Sequence, residues 1–371
     1  MSGEVIIAAG GTGGHMFPAL ALAAELERRG RPATVVCDRR GARYVGEVPH
    51  LLIRAASPSG PLARRLAGFA KLVAGLARSL AVLRRRRPAA VAAFGGYAAV
   101  PVALAAHWLR IPVLVHEQNA VLGRANRLIA RRAARLALTF ADTRGAERVP
   151  AERRVVTGNP VRAEVAAQAG TPYAAPETDG SLRLLVVGGS QGARIFSKVV
   201  PAALALLPEE LRRRIHLTQQ CRPEDLEPVA DAYRALDFAA ELDVFFADLP
   251  DRLARAHLVI SRSGASSVAE LLALGRPALF VPYHHAADDH QRANGAAAAS
   301  AGAAWLLDEA EFTAAGLAEI LSKCLNRPEQ LAGMAERARA LGRPGAAAAL
   351  ADAVESLMSL PIAQHHLEVP A

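Results

Sequence analysis

Short apolar runs, each followed by a glycine turn and a helical pattern, recur along this chain of 371 residues. Residues 5–9 (VIIAA) lead into the turn 10–15 (GGTGGH), and residues 182–187 (LRLLVV) lead into the turn 188–193 (GGSQGA). A short apolar run before such a turn predicts a strand buried in a parallel sheet. Because the same order restarts in the second half, the sequence predicts an α/β fold with two Rossmann-like domains.

The composition of the middle of the chain indicates where the two domains meet. A chain of this length is too long for one compact core, and the segment 166–181 is rich in Ala, Pro, Gly and Thr, which is typical of a linker. We therefore expect an N-terminal domain over 1–162, a linker over 163–181 and a C-terminal domain over 182–345. An alanine-leucine pattern predicts a last helix over 346–360, and a tail follows it to residue 371.

Further apolar runs fill in both predicted sheets. In the first half, a helix is predicted from about Phe17 to Arg29, and strands are predicted at 89–94 and 113–115. The second of these strands runs into the polar sequence HEQN at 116–119. In the second half, the predicted strands include 216–218 and 244–246. Since open α/β sheets gather ligand groups at the carboxyl ends of their strands, HEQN is a candidate part of a site.

The richest polar cluster lies in residues 257–294. An apolar run at 258–260 breaks at Ser261-Arg262-Ser263-Gly264 before a helical pattern that ends at Gly275, and a second apolar run covers 278–281. The first N–H groups of such a helix lack partners and suit a phosphate, while Glu270 near its start is placed to accept from a vicinal diol. An ordinary strand–helix–strand unit explains the apolar runs, but not the clustering of four polar side chains on one side. These are Ser263, Glu270, Gln291 and Asn294.

The first glycine turn offers a second phosphate site. A dinucleotide-binding fold requires G-x-G-x-x-G, with Asp38 as the possible ribose acid, but Met16 occupies the position of the third glycine. The turn still allows a pyrophosphate to approach the backbone closely. His15 at its mouth is either a solvated surface histidine or a proton acceptor.

Charge narrows the possible partners. The net charge is +9 with a pI of about 10.1, which indicates an anionic partner: nucleic acid, acidic lipid or a polyphosphate substrate. The N-terminus does not show the succession of basic residues, long apolar run and cleavage site that is typical of a signal peptide. The most membrane-like window, 97–115, is interrupted by prolines, a histidine and an arginine, so we expect a soluble or peripheral protein.

Residues 61–88 contain eight basic residues and no acidic one. Leu62, Leu66, Phe69, Leu76 and Leu80 recur at helical spacing, so the pattern fits either a core-facing helix with a solvated basic back or a helix that lies on anionic lipid. The absence of acids favours contact with an anionic membrane surface. Nucleic acid is not expected, because the segment has a single aromatic residue on which bases might stack.

Cysteines and histidines give no sign of a disulfide or a metal. Cys37, Cys221 and Cys324 are far apart and odd in number, which fits a reducing cytoplasm. His284, His285 and His290 lie beside two aspartates but match no compact ligand motif, so no metal site is expected.

Five motifs carry a family resemblance. S-R-S-G-A-S-S-V-A-E at 261–270, P-A-L-F-V-P-Y at 277–283 and D-H-Q-x-x-N at 289–294 resemble the donor-sugar signature of GT-B glycosyltransferases. HEQN and G-N-P-V-R at 158–162 occur in the matching order. Within that class the chain is most similar to the bacterial N-acetylglucosaminyltransferase family that completes the lipid-linked precursor of peptidoglycan.

This resemblance implies two facing Rossmann-like domains with a cleft between them, and a last helix that crosses back to the first domain. It implies UDP-N-acetylglucosamine as the donor substrate, with no cofactor required. The implied acceptor is undecaprenyl-diphosphoryl-N-acetylmuramoyl-pentapeptide, at the cytoplasmic face of the cell membrane. The N-terminal domain would be the acceptor and membrane side, and the C-terminal domain would bind the UDP-sugar.

The resemblance also implies roles for individual residues. His15 is the first candidate for the catalytic base and Glu117 the second, although Glu117 might instead be tied up structurally. The implied donor-binding residues are Thr12, Gly13, Gly14, Asn119, Arg162, Ser190, Phe246, Ala265, Ser266, Ser267, Val268, Ala269, Glu270 and Gln291. The candidates for the acceptor diphosphate are Gly95, Gly96, Tyr97 and Gln191. Phe246 stands where the family is expected to have an aliphatic residue.

The implied reaction is an in-line displacement at the anomeric carbon that inverts an α-linked donor into a β-linked product. Two other functions share parts of these signals. Another GT-B enzyme, such as a lipid sugar transferase or a UDP-sugar epimerase, would share the donor motif without needing Gly95-Gly96-Tyr97 or HEQN. A non-enzymatic nucleotide-binding or lipid-surface module would use the basic helix and release no UDP.

Overall fold

The computed structural model describes residues 3–53, 62–189 and 192–359. The chain forms two compact units: the first contains Met1–Arg162 together with Gly345–Ala371, and the second contains Ala163–Pro344. Each unit has a parallel sheet and its own hydrophobic core. The prediction of an α/β fold with two Rossmann-like domains is therefore confirmed.

The first unit is built around one parallel sheet. Its strands are β1 (Val5–Ala8), β2 (Ala33–Cys37), β3 (His50–Leu52), β4 (Ala90–Ala93), β5 (Val113–Glu117), β6 (Arg135–Leu138) and β7 (Arg154–Val156). Its first helices are α1 (Gly13–Arg28), α2 (Leu62–Arg86), α3 (Ala99–Trp108) and α4 (Arg124–Ile129). The described strands form a seven-stranded sheet in the order β3-β2-β1-β4-β5-β6-β7. β1, β4 and β5 are buried along their whole length, as expected for strands covered on both faces.

The second unit repeats this plan with six strands. They are β8 (Leu182–Val187), β9 (Ile215–Gln220), β10 (Ala240–Asp243), β11 (Leu258–Ser261), β12 (Ala278–Phe280) and β13 (Ala304–Leu306). The helices are α5 (Ala163–Ala167), α6 (Arg194–Leu206), α7 (Glu209–Arg212), α8 (Leu226–Arg234), α9 (Leu249–Arg255), α10 (Ala265–Leu274), α11 (His290–Ser300), α12 (Ala314–Asn326) and α13 (Glu329–Leu341). The described strands pair in the order β10-β9-β8-β11-β12-β13, all parallel.

The last helix, α14 (Ala346–Met358), belongs to the first unit and packs against α1. Leu350 and Val354 are buried in the core that α1 shares with the sheet. Arg29, just after α1, donates to Asp352 at 2.6 Å and to Glu355 at 2.8 Å. Apolar packing and an arginine–carboxylate cluster therefore both hold α14 in place.

Helices cover the two faces of the first sheet in separate layers. Ile6 and Ala8 of β1 point into the core that α2, α3 and α4 share, whereas Val5 and Ile7 point into the core with α1 and α14. This division follows from the two-residue period of a strand. As a result, α2, α3 and α4 form a single layer on one side of the sheet.

The apolar stripe of α2 divides along the helix. Leu76 and Leu80 pack against the core and Leu83 is buried in it, but Phe69 and Val73 are 64% and 50% exposed. Although α2 is the longest helix described, no helix in the described parts of the chain is apolar enough over a sufficient length to cross a membrane. The side chains of residues 62–66, at the start of α2, lie outside the described residues.

Three local predictions were wrong. The first helix begins at Gly13 rather than near Phe17, because the turn closes at Gly10 and Gly11 and the later glycines adopt helical backbone. β5 continues through His116 and Glu117, since both polar side chains find partners within the fold. Residues 244–246 are not a strand: β10 lies earlier, and Phe245 after it is 70% exposed.

The segment 163–181 is packed onto the second unit. It begins with α5, and the Tyr173 hydroxyl donates to His257 O at 2.9 Å. The Thr171 carbonyl accepts from Arg339 at 2.6 Å. These contacts attach the connection to the unit that follows it.

Candidate functional site

The two glycine turns of the first unit pack directly against each other. Gly96 has a φ of +71°, and a Cβ at this position would lie 2.7 Å from Gly10 O. Asp38 Oδ1 accepts from Gly11 N at 3.1 Å and from Gly41 N at 2.8 Å. Asp38 therefore anchors the first glycine turn. This structural role explains why a carboxylate follows β2 without any need for a bound ribose.

The first turn of α1 carries predicted phosphate-binding residues. Thr12 is the exposed N-cap, and Gly13 and Gly14 begin the helix. Gly13 has no room for a side chain, because a Cβ there would lie 2.8 Å from Phe17 Cε2. The Arg162 guanidinium lies 5.9 Å from the centre of the Phe17 ring. A cation and a helix N-terminus thus occur close together, and both favour an anion.

His15 lies on this same helical turn and is half-buried. Its Nδ1 is 3.4 Å from the Thr12 hydroxyl oxygen. A Cβ at Gly95 would lie 3.3 Å from His15 Cδ2 and 3.2 Å from Asn126 Oδ1. The structure therefore brings His15 together with the second glycine turn, where Gly96 and the half-buried Tyr97 follow Gly95.

Glu117 is fully buried and surrounded by donors. Its carboxylate accepts from Asn119 N at 3.0 Å, Asn119 Nδ2 at 3.1 Å, Gly123 N at 2.8 Å and Asn126 Nδ2 at 2.8 Å. Burial raises the pKa of Glu117, and these hydrogen bonds oppose the rise. Four donors fill the acceptor sites of a carboxylate. The arrangement favours the structural alternative, in which Glu117 holds the loop after β5.

A buried polar network surrounds Glu117. His116 Nε2 lies 3.0 Å from Gly158 O, and Gln118 Nε2 lies 3.0 Å from His116 Nδ1. This pattern requires a neutral His116 that carries its proton on Nε2. Burial lowers the pKa of His116 to about 4, so the neutral form is stable at neutral pH.

Sequence reasoning missed two residues of this region. Asn126 donates to Glu117 and lies beside His15 and Gly95. Asn159 is buried, and within the described parts of the chain neither of its carboxamide atoms has a hydrogen-bond partner. Such atoms call for a water or a ligand group. Asn159 stands in the G-N-P-V-R motif, whereas Asn126 belongs to none of the motifs that the sequence offers.

In the second unit, the N-terminus of α10 forms the centre of the predicted donor site. Gly264 is an extended N-cap, and Ala265, Ser266 and Ser267 make the first turn. The Ser266 hydroxyl is buried and finds no partner among the described residues. Val268 is buried, as are the predicted contacts Ala265 and Glu270, while Ser267 and Ala269 are half-buried.

The loop after β12 is fixed by an arginine. Arg262 donates to Val281 O at 3.0 Å and to Pro282 O at 3.1 Å, and it forms an ion pair with Glu309. Gln291 Oε1 accepts from Tyr283 N at 2.9 Å. The predicted donor residue Gln291 is therefore held by a loop that Arg262 positions. The polar loop had been predicted from the sequence, but Glu309 had not, since it lies 47 positions after Arg262.

The remaining predicted residues of the second unit differ in their surroundings. Phe246 is buried, with the Arg252 guanidinium 4.4 Å from its ring centre. Gly188 allows the chain to turn tightly, because a Cβ there would lie 2.3 Å from Ala193 N. Ser190 and Gln191 lie outside the described residues.

Within each unit, then, those predicted residues that the structure describes follow the carboxyl ends of strands or lie on the helices after them. Two Rossmann-like units, each with a parallel sheet, form the GT-B-like architecture that the chain shares with glycosyltransferases. The glycosyltransferase family 28 N-terminal domain matches residues 5–138, and the family 28 C-terminal domain matches residues 183–356. The chain belongs to glycosyltransferase family 28.

Similar proteins agree with this family assignment. A protein of Paramagnetospirillum magneticum is 52% identical over 95% of this chain and 96% of its own length. One of Rhodospirillum centenum is 50% identical over 94% of this chain and 93% of its own. Both are named UDP-N-acetylglucosamine–N-acetylmuramyl-(pentapeptide) pyrophosphoryl-undecaprenol N-acetylglucosamine transferase.

Solved structures show the same fold. MurG of Acinetobacter baumannii superposes with a TM-score of 0.79 at 31% identity, covering 95% of this chain and 99% of that one. A UDP-GlcNAc 2-epimerase of Neisseria meningitidis has a TM-score of 0.66 at 15% identity, covering 95% of this chain and 100% of that one. At that level of identity the epimerase shows a shared fold and nothing more.

Proposed function

We propose that this enzyme transfers N-acetylglucosamine from UDP-N-acetylglucosamine to the 4-hydroxyl of undecaprenyl-diphosphoryl-N-acetylmuramoyl-pentapeptide. The C1–O bond to UDP breaks, a β-linked C1–O4 bond forms, and the hydroxyl proton passes to a base of the protein. The observation that carries the proposal is a pair of helix N-termini suited to phosphate. One begins α1, whose first turn holds His15, and the other begins α10, whose second turn holds Glu270. The names of the relatives agree with it.

We assign donor recognition mainly to the second unit. The first turn of α10 offers backbone N–H groups to the diphosphate, and the buried Ser266 hydroxyl lies on that turn. Glu270, one turn further on and also buried, accepts from the ribose hydroxyls. Gln291, in the first turn of α11 and hydrogen-bonded to the loop that Arg262 positions, contacts the sugar.

We assign the reaction chemistry to His15, Arg162 and the helix N-termini. Preorganised donors that face a developing negative charge lower a barrier by about 3–4 kcal/mol each, and Arg162 and the α10 N-terminus are such groups for the leaving UDP. His15 accepts the proton of the attacking hydroxyl. Its neighbours Gly95, Gly96 and Tyr97 bind the acceptor diphosphate through backbone N–H groups. This scheme draws on no cofactor.

We further propose that the layer of α2, α3 and α4 docks on the cytoplasmic face of the cell membrane. Phe69, Val73 and Trp108 are large exposed apolar residues on α2 and α3. α2 lies in the segment with eight basic and no acidic residues. Exposed apolar side chains among basic ones fit a surface of anionic lipid. Docking here would keep the protein near an acceptor that is anchored in the membrane.

Incubation with UDP-N-acetylglucosamine and a short-chain lipid-diphosphate muramoyl-pentapeptide tests the proposal. UDP release that requires the acceptor is expected. Conversion of UDP-N-acetylglucosamine to its 2-epimer without any acceptor would instead identify an epimerase. Absence of UDP release with every acceptor tested would leave a binding module and contradict the proposal.

A further inference from the structure

The loop between β12 and α11, which leads to the proposed sugar contact, has a strained tip. Asp288 and Asp289 have φ values of +54° and +53°, in the left-handed region that residues other than glycine rarely adopt. α11 begins directly after them, and Gln291 lies in its first turn. Strained backbone of this kind persists where the surrounding structure fixes it. The position of Gln291 therefore depends on the contacts that hold the two ends of the loop.

Two adjacent acids after β13 contact both ends of this loop, and we call them the acidic pair (Asp308 and Glu309). Glu309 forms an ion pair with Arg262, and its Oε2 lies 2.5 Å from Nδ1 of His284, near the start of the loop. Asp308 forms an ion pair with Arg292, which directly follows the proposed sugar contact. The acidic pair thus holds the chain both before and after the strained tip.

The contacts of Glu309 are better shielded from solvent than those of Asp308. The Arg262 and Glu309 side chains are 12% and 20% exposed, whereas those of Arg292 and Asp308 are 50% and 41% exposed. Water and salt screen an exposed ion pair, so that it contributes little. We therefore expect Glu309 to hold the loop more firmly than Asp308 does.

Arg262 connects this loop to the turn that precedes the donor helix α10. It donates to Val281 O at 3.0 Å and to Pro282 O at 3.1 Å. Its guanidinium lies 5.4 Å from the ring centres of both Phe196 and Tyr283. Carbonyl groups and rings orient a cation, but a carboxylate is needed to balance its charge once it is largely removed from water. The acidic pair supplies that carboxylate.

The amide of Gln291 takes its orientation from the same loop. Its Oε1 accepts from Tyr283 N at 2.9 Å, so its NH2 group is the end that can donate to a hydroxyl of a sugar. Tyr283 is followed directly by His284, which contacts Glu309. A loop released from Glu309 would therefore move the backbone N–H that orients the amide.

We propose that the acidic pair positions the donor sugar by holding this loop, with Glu309 as the main contributor. Both acids act through Gln291 and not by contact with the substrate. The inference rests on the proposed function, in which Gln291 contacts the sugar and α10 binds the diphosphate. Since the acidic pair holds the loop and not α10, its loss should weaken binding of the sugar and spare binding of UDP.

Comparison of UDP with UDP-N-acetylglucosamine isolates the contribution of the sugar. In calorimetric titration, Glu309→Ala should raise the Kd for UDP-N-acetylglucosamine about tenfold, which corresponds to one misplaced hydrogen bond. Asp308→Ala should raise it about threefold, because its ion pair is exposed. The Kd for UDP should stay the same in both variants, which also shows that they fold. Equal weakening of UDP and UDP-N-acetylglucosamine in Glu309→Ala would indicate a general structural role and overturn the proposal.

Glu319→Ala is the matched control. It removes one negative charge from the same unit, at an exposed residue that pairs with Lys323 on its own helix. Both Kd values should match those of the natural chain. A weakening of sugar binding in Glu319→Ala as large as that in Glu309→Ala would reduce the effect to net charge and overturn the proposal.

A double-variant cycle tests whether Glu309 acts through Gln291. Gln291→Ala alone should raise the Kd for UDP-N-acetylglucosamine about tenfold. Glu309→Ala should add less than about twofold to that loss, because residues that act as one unit are not additive. A further independent loss of about tenfold would mean that Glu309 affects the sugar by another route, and it would overturn the proposal.

These binding measurements separate the inference from the proposed transfer. If the cycle gives the expected values but no lipid-linked disaccharide is formed, the role of the acidic pair is supported and the transfer is refuted. If the disaccharide is formed and Gln291→Ala weakens sugar binding, but Glu309→Ala binds like the natural chain, the transfer stands and the role of the acidic pair is refuted. Unchanged sugar binding in Gln291→Ala would overturn the inference together with the sugar contact.

Discussion

His15 and Glu117, the two candidate bases, occupy very different surroundings. Glu117 is fully buried with four donors on its carboxylate, whereas His15 is half-buried on the first turn of α1, beside Gly95. A base must reach the proton it accepts. We therefore assign the proton transfer to His15 and the positioning of Asn119 and Asn126 to Glu117.

Replacing His15 tests this assignment. His15→Ala should lower kcat by about 10²–10⁴-fold, the usual contribution of a general base, with little change in the Kd for UDP-N-acetylglucosamine. His50→Ala is the control, since His50 is an exposed residue of the edge strand β3 and its loss should change neither. An equal loss of donor affinity and turnover in His15→Ala would remove His15 from the role of base.

His116 makes the stability of the first unit depend on pH. Burial lowers its folded-state pKa to about 4, below an unfolded value of about 6.5. The unfolded chain therefore binds the proton first, so the stabilisation is complete above pH 6.5 and is lost as the pH falls towards 4. Urea unfolding should show the free energy of unfolding falling by about 3 kcal/mol over that window, at about 1.4 kcal/mol per pKa unit.

His116→Gln should flatten this dependence, because glutamine does not titrate. If the free energy of unfolding depended on pH in the same way in the variant, His116 would not be the source of that dependence. His257 in the second unit contributes a pH dependence of stability with the same sign, since burial lowers its pKa to about 4 as well. The comparison of natural chain and variant isolates the part that belongs to His116.

The residues that sequence reasoning found are those whose chemistry lies next to a recognisable turn. Thr12, His15 and Gln291 follow strands or begin helices, so their place could be predicted from the order of apolar runs. Asn126 could not, because its role arises when α4 folds over the end of β5 and presents an amide to Glu117. The role of Glu309 comes from its ion pair with Arg262, and nothing in the sequence near either residue indicates that contact.

At the scale of elements, the glycine turns depend on close backbone contact. Gly96→Ala should disrupt the packing of the two turns, since a Cβ would lie 2.7 Å from Gly10 O and φ is +71°. Gly30→Ala is a matched control, because φ is +70° there and nothing lies within 4 Å of the new Cβ. The control should lose about 1 kcal/mol of stability and keep its transfer rate, whereas Gly96→Ala should lose more stability and most transfer. Equal effects of the two substitutions would show that the close contact is unimportant.

The attachment of α14 to α1 gives a second test at this scale. Arg29→Met should reduce the free energy of unfolding by about 1–3 kcal/mol, because the hydrogen bonds of Arg29 to Asp352 and Glu355 are charge-assisted. Arg28→Met is the control, since Arg28 is exposed and pairs with a residue of its own helix; a change within about 0.5 kcal/mol is expected. Thermal unfolding of both variants distinguishes two explanations: one in which the hydrogen bonds of Arg29 help to hold α14, and one in which apolar packing alone holds it.

Element prediction succeeded where apolar runs are buried on both faces, as in β1, β4 and β11. It failed at the edge of the second sheet. β10 alternates between half-buried and exposed residues, so its signal is weaker than that of the apolar run at 244–246 that follows it. An exposed apolar run and a buried strand cannot be told apart by hydrophobicity alone.

For the whole molecule, the net charge of +9 agrees with the proposed partners, which are all anionic: a nucleotide sugar, a lipid diphosphate and a membrane surface. The sequence predicted two Rossmann-like domains because the order of strand, glycine turn and helix repeats. It could not predict that residues 163–181 pack onto the second unit, since that depends on side-chain contacts such as those of Tyr173.

The linkage formed in the product tests the central claim most directly. The lipid-linked product made from UDP-N-acetylglucosamine and the muramoyl-pentapeptide acceptor should be isolated and its new glycosidic bond examined by NMR. The account predicts a disaccharide joined through the 4-hydroxyl of the muramoyl sugar, with a β-configured anomeric carbon. An α-linked product, a bond to another hydroxyl, or UDP release with no disaccharide would contradict it.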